Sequence, residues 1–325
     1  MKKLIKSFPY QIRESLNIAS NHTIKIDRTI TNVILCGMGG SGIGLELIRS
    51  WSFNQMNLPL DVIHGYNLPA YLSRNSLVIL SSYSGNTEET ISCAEEAREA
   101  GALLLGITSG GKLEQILNDN KAHCIKIPGG LPPRAALGYS LVQLAGIFQQ
   151  LGFAQSELIA NVKKSSLFLE QQQNAIFEHA KKINANSAGK HFLFYSEDRL
   201  SAVLLRACQQ LNENSKELAH YNVIPEMNHN EIVGWRSDYK KLCFLIVRSK
   251  FESTQNSKRL DIMQNILSKK GQSTQTIVAE GENIIEESFY LIHLFDWLSY
   301  FRSEENNVDI MEVDIIDSLK QELNR

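Results

Sequence analysis

Short, wholly apolar runs alternate with longer stretches of helical periodicity, and this rhythm restricts the fold more than any other feature of the chain. Residues 33–36 form a compact apolar run closed by glycines and followed by a helical stretch to about Trp51. Residues 60–64, 77–81, 102–108 and 123–127 are further strand candidates, with helices over 87–100 and 134–151. The second half repeats the pattern, with strands at 191–195, 242–247 and 274–279 and helices at 200–218, 258–270, 284–301 and 315–323. Strands without a polar face are buried on both sides, as in a parallel sheet covered by helices. The chain therefore reads as α/β: two tandem three-layer α/β/α domains, each around a mainly parallel sheet. A length of 325 residues suits two domains. The polar helix at 155–183 is the expected join, giving domains at 1–153 and 154–325.

Charge narrows the partners. Lys plus Arg is 33 and Asp plus Glu is 35, a net −2, so the basic excess that nucleic acid or a membrane surface demands is missing. An anionic small substrate stays open, because helix dipoles and one or two cations can hold it. The five cysteines are widely spaced, odd in number and form no C-x-x-C pair. Neither a zinc site nor a disulfide framework is signalled, and reduced thiols in a cytoplasmic protein are expected. The start, Met1–Lys6, is basic without an apolar run behind it. No run approaches about 18 apolar residues, so neither export nor membrane spanning is expected.

Two turns carry the chemistry of the first half. Gly37-Met38-Gly39-Gly40-Ser41-Gly42 fits G-x-G-x-x-G between a strand and a helix. Glycine there allows a tight turn and lets backbone N–H groups approach an anion. A dinucleotide site would follow that pattern, and Asp61 lies 19 residues beyond Gly42. Asp61, however, falls inside the next strand, whereas a ribose-binding acid belongs at a strand's C-terminal end. The plainer alternative is that the glycines only permit the turn. The second turn, Ser81-Ser82-Tyr83-Ser84-Gly85-Asn86-Thr87, opens a helix at Glu88-Glu89-Thr90. Hydroxyls, N–H groups and a helix dipole converge there, as a phosphate monoester requires. Thr87 also reads as an N-cap and the serines as turn formers, roles that can coexist with binding.

The stretch from Ser82 to Thr90 resembles the signature loop of sugar isomerase (SIS) domains. Together with the turn at 37–44 it makes the chain similar to the bifunctional phosphoglucose/phosphomannose isomerase family, over residues 33–320. The resemblance implies two SIS-type domains, with Gly39, Gly40, Ser41, Ser82, Ser84 and Thr87 holding a sugar phosphate. In the second half, Leu211-Asn212-Glu213-Asn214-Ser215-Lys216 closes a helix with poor helix formers. By composition Glu213 is a solvated helical Glu; the resemblance makes it the base that moves a proton between C1 and C2. Pro225-Glu226-Met227-Asn228-His229-Asn230-Glu231 is an unusually polar loop. A lone loop His is ordinarily incidental, but the resemblance assigns His229 to ring opening, reaching into a neighbouring subunit's site. Arg134, after Pro132-Pro133, would otherwise be an exposed Arg, and Lys320 a helix-terminal charge. The resemblance makes Arg134 the stabiliser of the enediolate and Lys320 a site lysine. Where the family commonly has Gly-Val-Asp-Pro before its last helix, this chain has Asn307-Val308-Asp309-Ile310.

The leading expectation is an aldose–ketose isomerase that uses no metal and no cofactor. It would act on glucose 6-phosphate and fructose 6-phosphate, with mannose 6-phosphate a further candidate, as a homodimer with shared sites. Carboxylate, cation and imidazole suit proton transfer, enediolate stabilisation and ring opening. A sugar-phosphate sensor is the alternative, but it would need only the phosphate turns. A dehydrogenase would have no use for the hydroxyl-rich second turn.

Overall fold

The computed structural model describes residues 1–323. Two compact units divide the chain: Ser7–Glu170, and Met1–Lys6 together with Gln171–Arg325. The division falls inside a long helix. That helix buries Val162 and Leu169 on one side of the division and Ile176, Ala180 and Ile183 on the other. One amphipathic helix thus feeds two cores. The opening helix, α1 (Lys2–Lys6), goes with the later unit, where Lys2 sits over the rings of Phe177 and Tyr300.

The Ser7–Glu170 unit contains α2 (Phe8–Ser20), β1 (Asn32–Cys36), α3 (Gly39–Ser52), β2 (Leu60–Ile63), β3 (Ser76–Ser82), α4 (Glu88–Glu99), β4 (Leu103–Thr108), α5 (Gly111–Asp119), β5 (His123–Lys126) and α6 (Leu137–Gln150), and it includes the first turns of α7 (Leu158–Asn186). Its strands form one parallel sheet in the order β2-β1-β3-β4-β5. Every residue of β1 and β3 is buried, which is why those runs show no polar alternation. Ile34, Cys36, Val78 and Leu80 meet Ile91 and Ala94 of α4 and Leu113 and Leu117 of α5. Val33, Leu35, Leu77 and Ile79 alternate to the other face; in the helical layer, α6 packs against α2 and α3. The chain leaves β1 for β2 on one side and returns to β3 on the other. The carboxyl ends of β1 and β3 therefore flank a topological switch point, where open α/β sheets bind ligands.

The later unit contains β6 (His191–Glu197), α8 (Ser201–Ser215), β7 (His220–Ile224), β8 (Leu242–Arg248), α9 (Thr254–Lys269), β9 (Thr274–Val278), α10 (Ile284–Glu305) and α11 (Asp314–Leu323). Its sheet, β7-β6-β8-β9, is parallel throughout. Tyr195, Phe244 and Ile246 pack with Leu260 and Met263 of α9, while Phe194 meets Phe295 of α10 edge-on at 5.3 Å. Helix α11 buries none of its residues. Among the described residues no helix is long and apolar enough to cross a membrane.

Candidate active site

The parallel register sets Cys36 beside Leu80, so the turns that follow β1 and β3 emerge side by side. A Cβ on Gly37 would lie 2.7 Å from the Ser81 carbonyl, and one on Gly40 would lie 2.8 Å from that of Pro133. Close backbone approach, more than loop flexibility, requires these glycines. Ser41 Oγ accepts a hydrogen bond from the Tyr83 N–H (3.0 Å) and so ties the first turn to the second. Ser82 is fully buried; its Oγ accepts from the Gly85 N–H (3.1 Å) and meets Thr87 Oγ1 at 2.8 Å. Ser84 is exposed and accepts from the Asn86 N–H at 3.2 Å.

The structure corrects one expectation here. Thr87 stands at the N-cap of α4, but its hydroxyl makes no cap bond and pairs with Ser82 instead. Helix α3, which follows Met38, likewise lacks a side-chain cap. Two helix starts therefore present N–H groups at the switch point without competing side-chain acceptors. Gly39 adopts φ +50° at the start of α3. Arg134 lies not in a helix but in a 3-10 turn, Pro133–Ala135, and is only 4 % exposed. Packing of that turn against Gly40 brings it to the first glycine turn.

The second turn is braced from behind by residues that sequence reasoning passed over. Ser109 donates to the Tyr83 carbonyl (2.6 Å), and the Leu131 N–H donates to the Tyr83 hydroxyl (2.9 Å). Gly85 has φ +70°, and a Cβ there would sit 1.7 Å from the Gly110 carbonyl. Gly85→Ala is expected to cost on the order of 2–4 kcal/mol, combining left-handed strain with overpacking. Thermal melts read that loss.

In the later unit, the poor helix formers at the end of α8 have partners. Asn214 Nδ2 donates to Ser299 Oγ (2.9 Å), Ser215 Oγ to the Ser299 carbonyl (2.8 Å), and Asn306 Nδ2 to the Ser215 carbonyl (3.0 Å). Asn214 and Ser215 are buried against α10, which leaves Glu213 between them and the surface, half-buried. Beside Glu213 opens a cleft of about 360 Å³ whose far wall is Val313, Ile315 and Ile316, at the start of α11. Lys320 follows Ile316 by one helical turn and shares its face. Glu213 and the helix bearing Lys320 are thus brought to one cleft.

His229 is not brought there. It closes a 3-10 turn, Glu226–His229, beyond the carboxyl end of β7, and it is exposed. His229 is not among the residues that line the cleft beside Glu213. The His229 loop is held firmly on both sides. Met227 and Trp235 are buried, and the Glu231 carboxylate takes hydrogen bonds from the Tyr195 hydroxyl and from Asn222 Nδ2.

Hydroxyl-lined turns at adjacent strand ends on one unit and a half-buried Glu213 beside a cleft on the other belong to a chain that has relatives along its whole length. A bifunctional phosphoglucose/phosphomannose isomerase from Caldicellulosiruptor bescii is 33 % identical over 99 % of this chain and 98 % of its own. The chain belongs to the bifunctional phosphoglucose/phosphomannose isomerase family. The enzyme of that name from Thermoplasma acidophilum is 35 % identical over 91 % of this chain and 90 % of its own. The bacterial phospho-glucose isomerase C-terminal SIS domain family matches residues 177–323. Among solved structures, the tagatose-6-phosphate ketose/aldose isomerase of Escherichia coli superposes with TM-score 0.75 at 16 % identity, covering 96 % of this chain and 94 % of that one. The glucosamine-6-phosphate deaminase of Thermotoga maritima gives 0.72 at 15 %, covering 94 % and 96 %. These two likenesses show the SIS-type α/β fold.

The departure from the family's Gly-Val-Asp-Pro step has a local explanation. Asn307 takes φ +52°, the left-handed conformation that glycine adopts freely and that asparagine tolerates better than most residues. Lys216 then fixes the segment that follows, since its Nζ donates to the carbonyls of Asp309 and Glu312 (2.7 Å each) and of Glu213 (2.8 Å). One ammonium thereby ties the end of α8 to the approach to α11.

Proposed function

We propose that this isomerase interconverts glucose 6-phosphate and fructose 6-phosphate, and mannose 6-phosphate with fructose 6-phosphate, by proton transfer through a cis-enediolate. The observation that carries the reading is the pair of hydroxyl-lined turns at adjacent strand ends, both running into uncapped helix starts, in a chain of this family. In this reading Ser41, Ser84 and Thr87, with the N–H groups around Gly39 and Gly40, take the phosphate oxygens, and Ser82 orients Thr87. The ring opens at His229, assisted by Lys320. Glu213 removes the proton from C2 of the open aldose and returns it to C1. The electron pair left at C2 forms the C1=C2 double bond and displaces the carbonyl pair onto the C1 oxygen, where Arg134 faces the developing negative charge. As the proton returns to C1, the C2 hydroxyl proton passes to the C1 oxygen and the C2 carbonyl forms. Turnover of fructose 6-phosphate, with glucose 6-phosphate and mannose 6-phosphate followed separately, tests it. Tight binding of the sugar phosphates without turnover of any would overturn it in favour of a sensor.

That His229 does not line the cleft beside Glu213 supports a site completed by a second copy of the chain. Glu213→Gln and His229→Gln are each expected to be nearly inactive alone. Mixed after denaturation and refolding, they should recover about a quarter of wild-type activity, because half of randomly paired dimers are mixed and each of those holds one intact site. No recovery in a mixture shown to contain mixed dimers would mean that each subunit builds its own site.

A further inference from the structure

His64 follows β2 and has no part in the mechanism above. Its Nδ1 lies 2.7 Å from the Gly37 carbonyl oxygen and its Nε2 lies 3.0 Å from Glu46 Oε1. A carbonyl oxygen can only accept. Glu46 is also 2.6 Å from Arg49 Nη2, and although burial alone would raise its carboxyl, the His64 bond and the Arg49 charge hold it below the usual carboxylate range. An imidazole with an acceptor at each nitrogen satisfies both only when both carry hydrogen, that is, as the imidazolium. Its contact with Glu46 raises the ring above the ordinary histidine range, against the opposing effect of partial burial. The ring also packs against the first turn of α3, where a Cβ on Gly42 would come within 2.9 Å of Cε1. Neither phosphate turn, 37–44 or 81–90, contains a lysine or arginine.

We propose that His64 is a positioning residue: as a cation behind the first glycine turn it fixes the Gly37 carbonyl and adds positive charge to the phosphate site. In a trans peptide the N–H points opposite to the C=O. Drawing the Gly37 carbonyl toward His64 therefore turns the Met38 N–H away from it, to the open side of the turn. The inference rests on the phosphate-binding reading of that turn.

Ionisable groups lie on the elements around the ring. On α3 they are Glu46 and Arg49. Asp61 of β2 receives the Tyr71 hydroxyl, and Glu88 of α4 lies 3.4 Å from that of Tyr66. The thiols of Cys36, the last residue of β1, and Cys93, in the middle of α4, belong to one buried cluster. The sign follows: the charged ring is present at low pH and is lost as pH rises through its raised pKa, so its contribution to phosphate binding disappears in that direction.

The test is the ratio of KM for fructose 6-phosphate between His64→Asn and wild type across pH. The substrate's own phosphate titration cancels in that ratio. It should be about tenfold near pH 6, where the ring is charged, and approach unity near about pH 9, with kcat changed less than about twofold. A ratio near one at low pH, or one that does not vary with pH, overturns the proposal. If His64→Asn does not fold, Glu46→Gln serves instead. Loss of that carboxylate lowers the pKa of the ring, so the rise of wild-type KM with pH should begin earlier, and an unmoved profile overturns the idea. Should wild type turn over no fructose 6-phosphate, the isomerase reading fails separately. The same ratio is then read from calorimetric titration with inorganic phosphate, under the same criteria.

Discussion

Glu213→Gln is expected to lower isomerase turnover by about 10³-fold or more while sugar-phosphate binding persists. A positioned general base contributes about 10²–10⁴-fold, and an amide cannot take a proton from C2 at any accessible pH. The substitution is nearly isosteric. The anchors that follow it, Asn214 and Ser215 to Ser299, do not involve the Glu213 side chain, and Lys216 donates to the Glu213 carbonyl. The melting temperature should therefore stay close to wild type. The groups proposed to hold the phosphate lie on the turns of β1 and β3, which the variant leaves alone. The informative measurement is exchange of the substrate C2 hydrogen for solvent deuterium, beside net turnover. Exchange and turnover should fall together. Retention of more than about a tenth of either would remove Glu213 from the role of base.

The neighbourhood of Glu213 stands out in the sequence for a physical reason. Composition alone made Glu213 a solvated helical glutamate, and the oddity that singled out its neighbourhood was the surrounding Asn and Ser. That oddity has a physical cause: Asn214 and Ser215 are the buried hydrogen-bonding contacts through which α8 docks on α10. The fully apolar runs of β1, β3 and β8 were equally legible, because burial on both faces leaves no other pattern. Less regular pieces escaped. Strand β7, His220–Ile224, is a half-exposed edge whose polar first residues carry no strand signal, and α5 begins at two glycines with positive φ. The N-terminal α2 escaped too: its core contacts depend on α6, far away in sequence. At the site, the second turn could be read from its hydroxyls, but the roles of Ser82 and Thr87 could not, since Thr87 pairs across the turn where a cap bond was expected. His64 left no signal, because its significance lies in two oxygens that only the fold brings to its ring.

The largest stability effect is expected at Arg302, which holds the end of α8, the helix proposed to carry the base, through Glu217. Arg302 is 1 % exposed. Its Nε lies 3.2 Å from Glu217 Oε2 and its Nη1 lies 2.9 Å from Glu305 Oε2. Its Nη2 donates to the carbonyls of Ser187 (3.3 Å) and Lys190 (3.1 Å), and its guanidinium stacks 4.6 Å from the Phe192 ring centre. Arg302→Met keeps much of the packing volume but leaves the buried Glu217 with only His191 and Asn306 as side-chain partners among the contacts described. Breaking one side of a buried pair costs about 3–5 kcal/mol, which for a unit of this size lowers the melting temperature by roughly 10 °C. Adding Glu217→Met should return a large part of that loss, because the cost lies in the unpaired buried charge more than in the missing attraction. Activity separates the two consequences. Glu217 follows Ser215 directly after Lys216, so both the single and the double variant loosen the end of α8. If the stability of the double variant returns while kcat stays low, the ion pair's contribution to catalysis is the placement of Glu213. If kcat returns with stability, the placement comes from Ser299 and Lys216 alone, and Arg302 serves only the core.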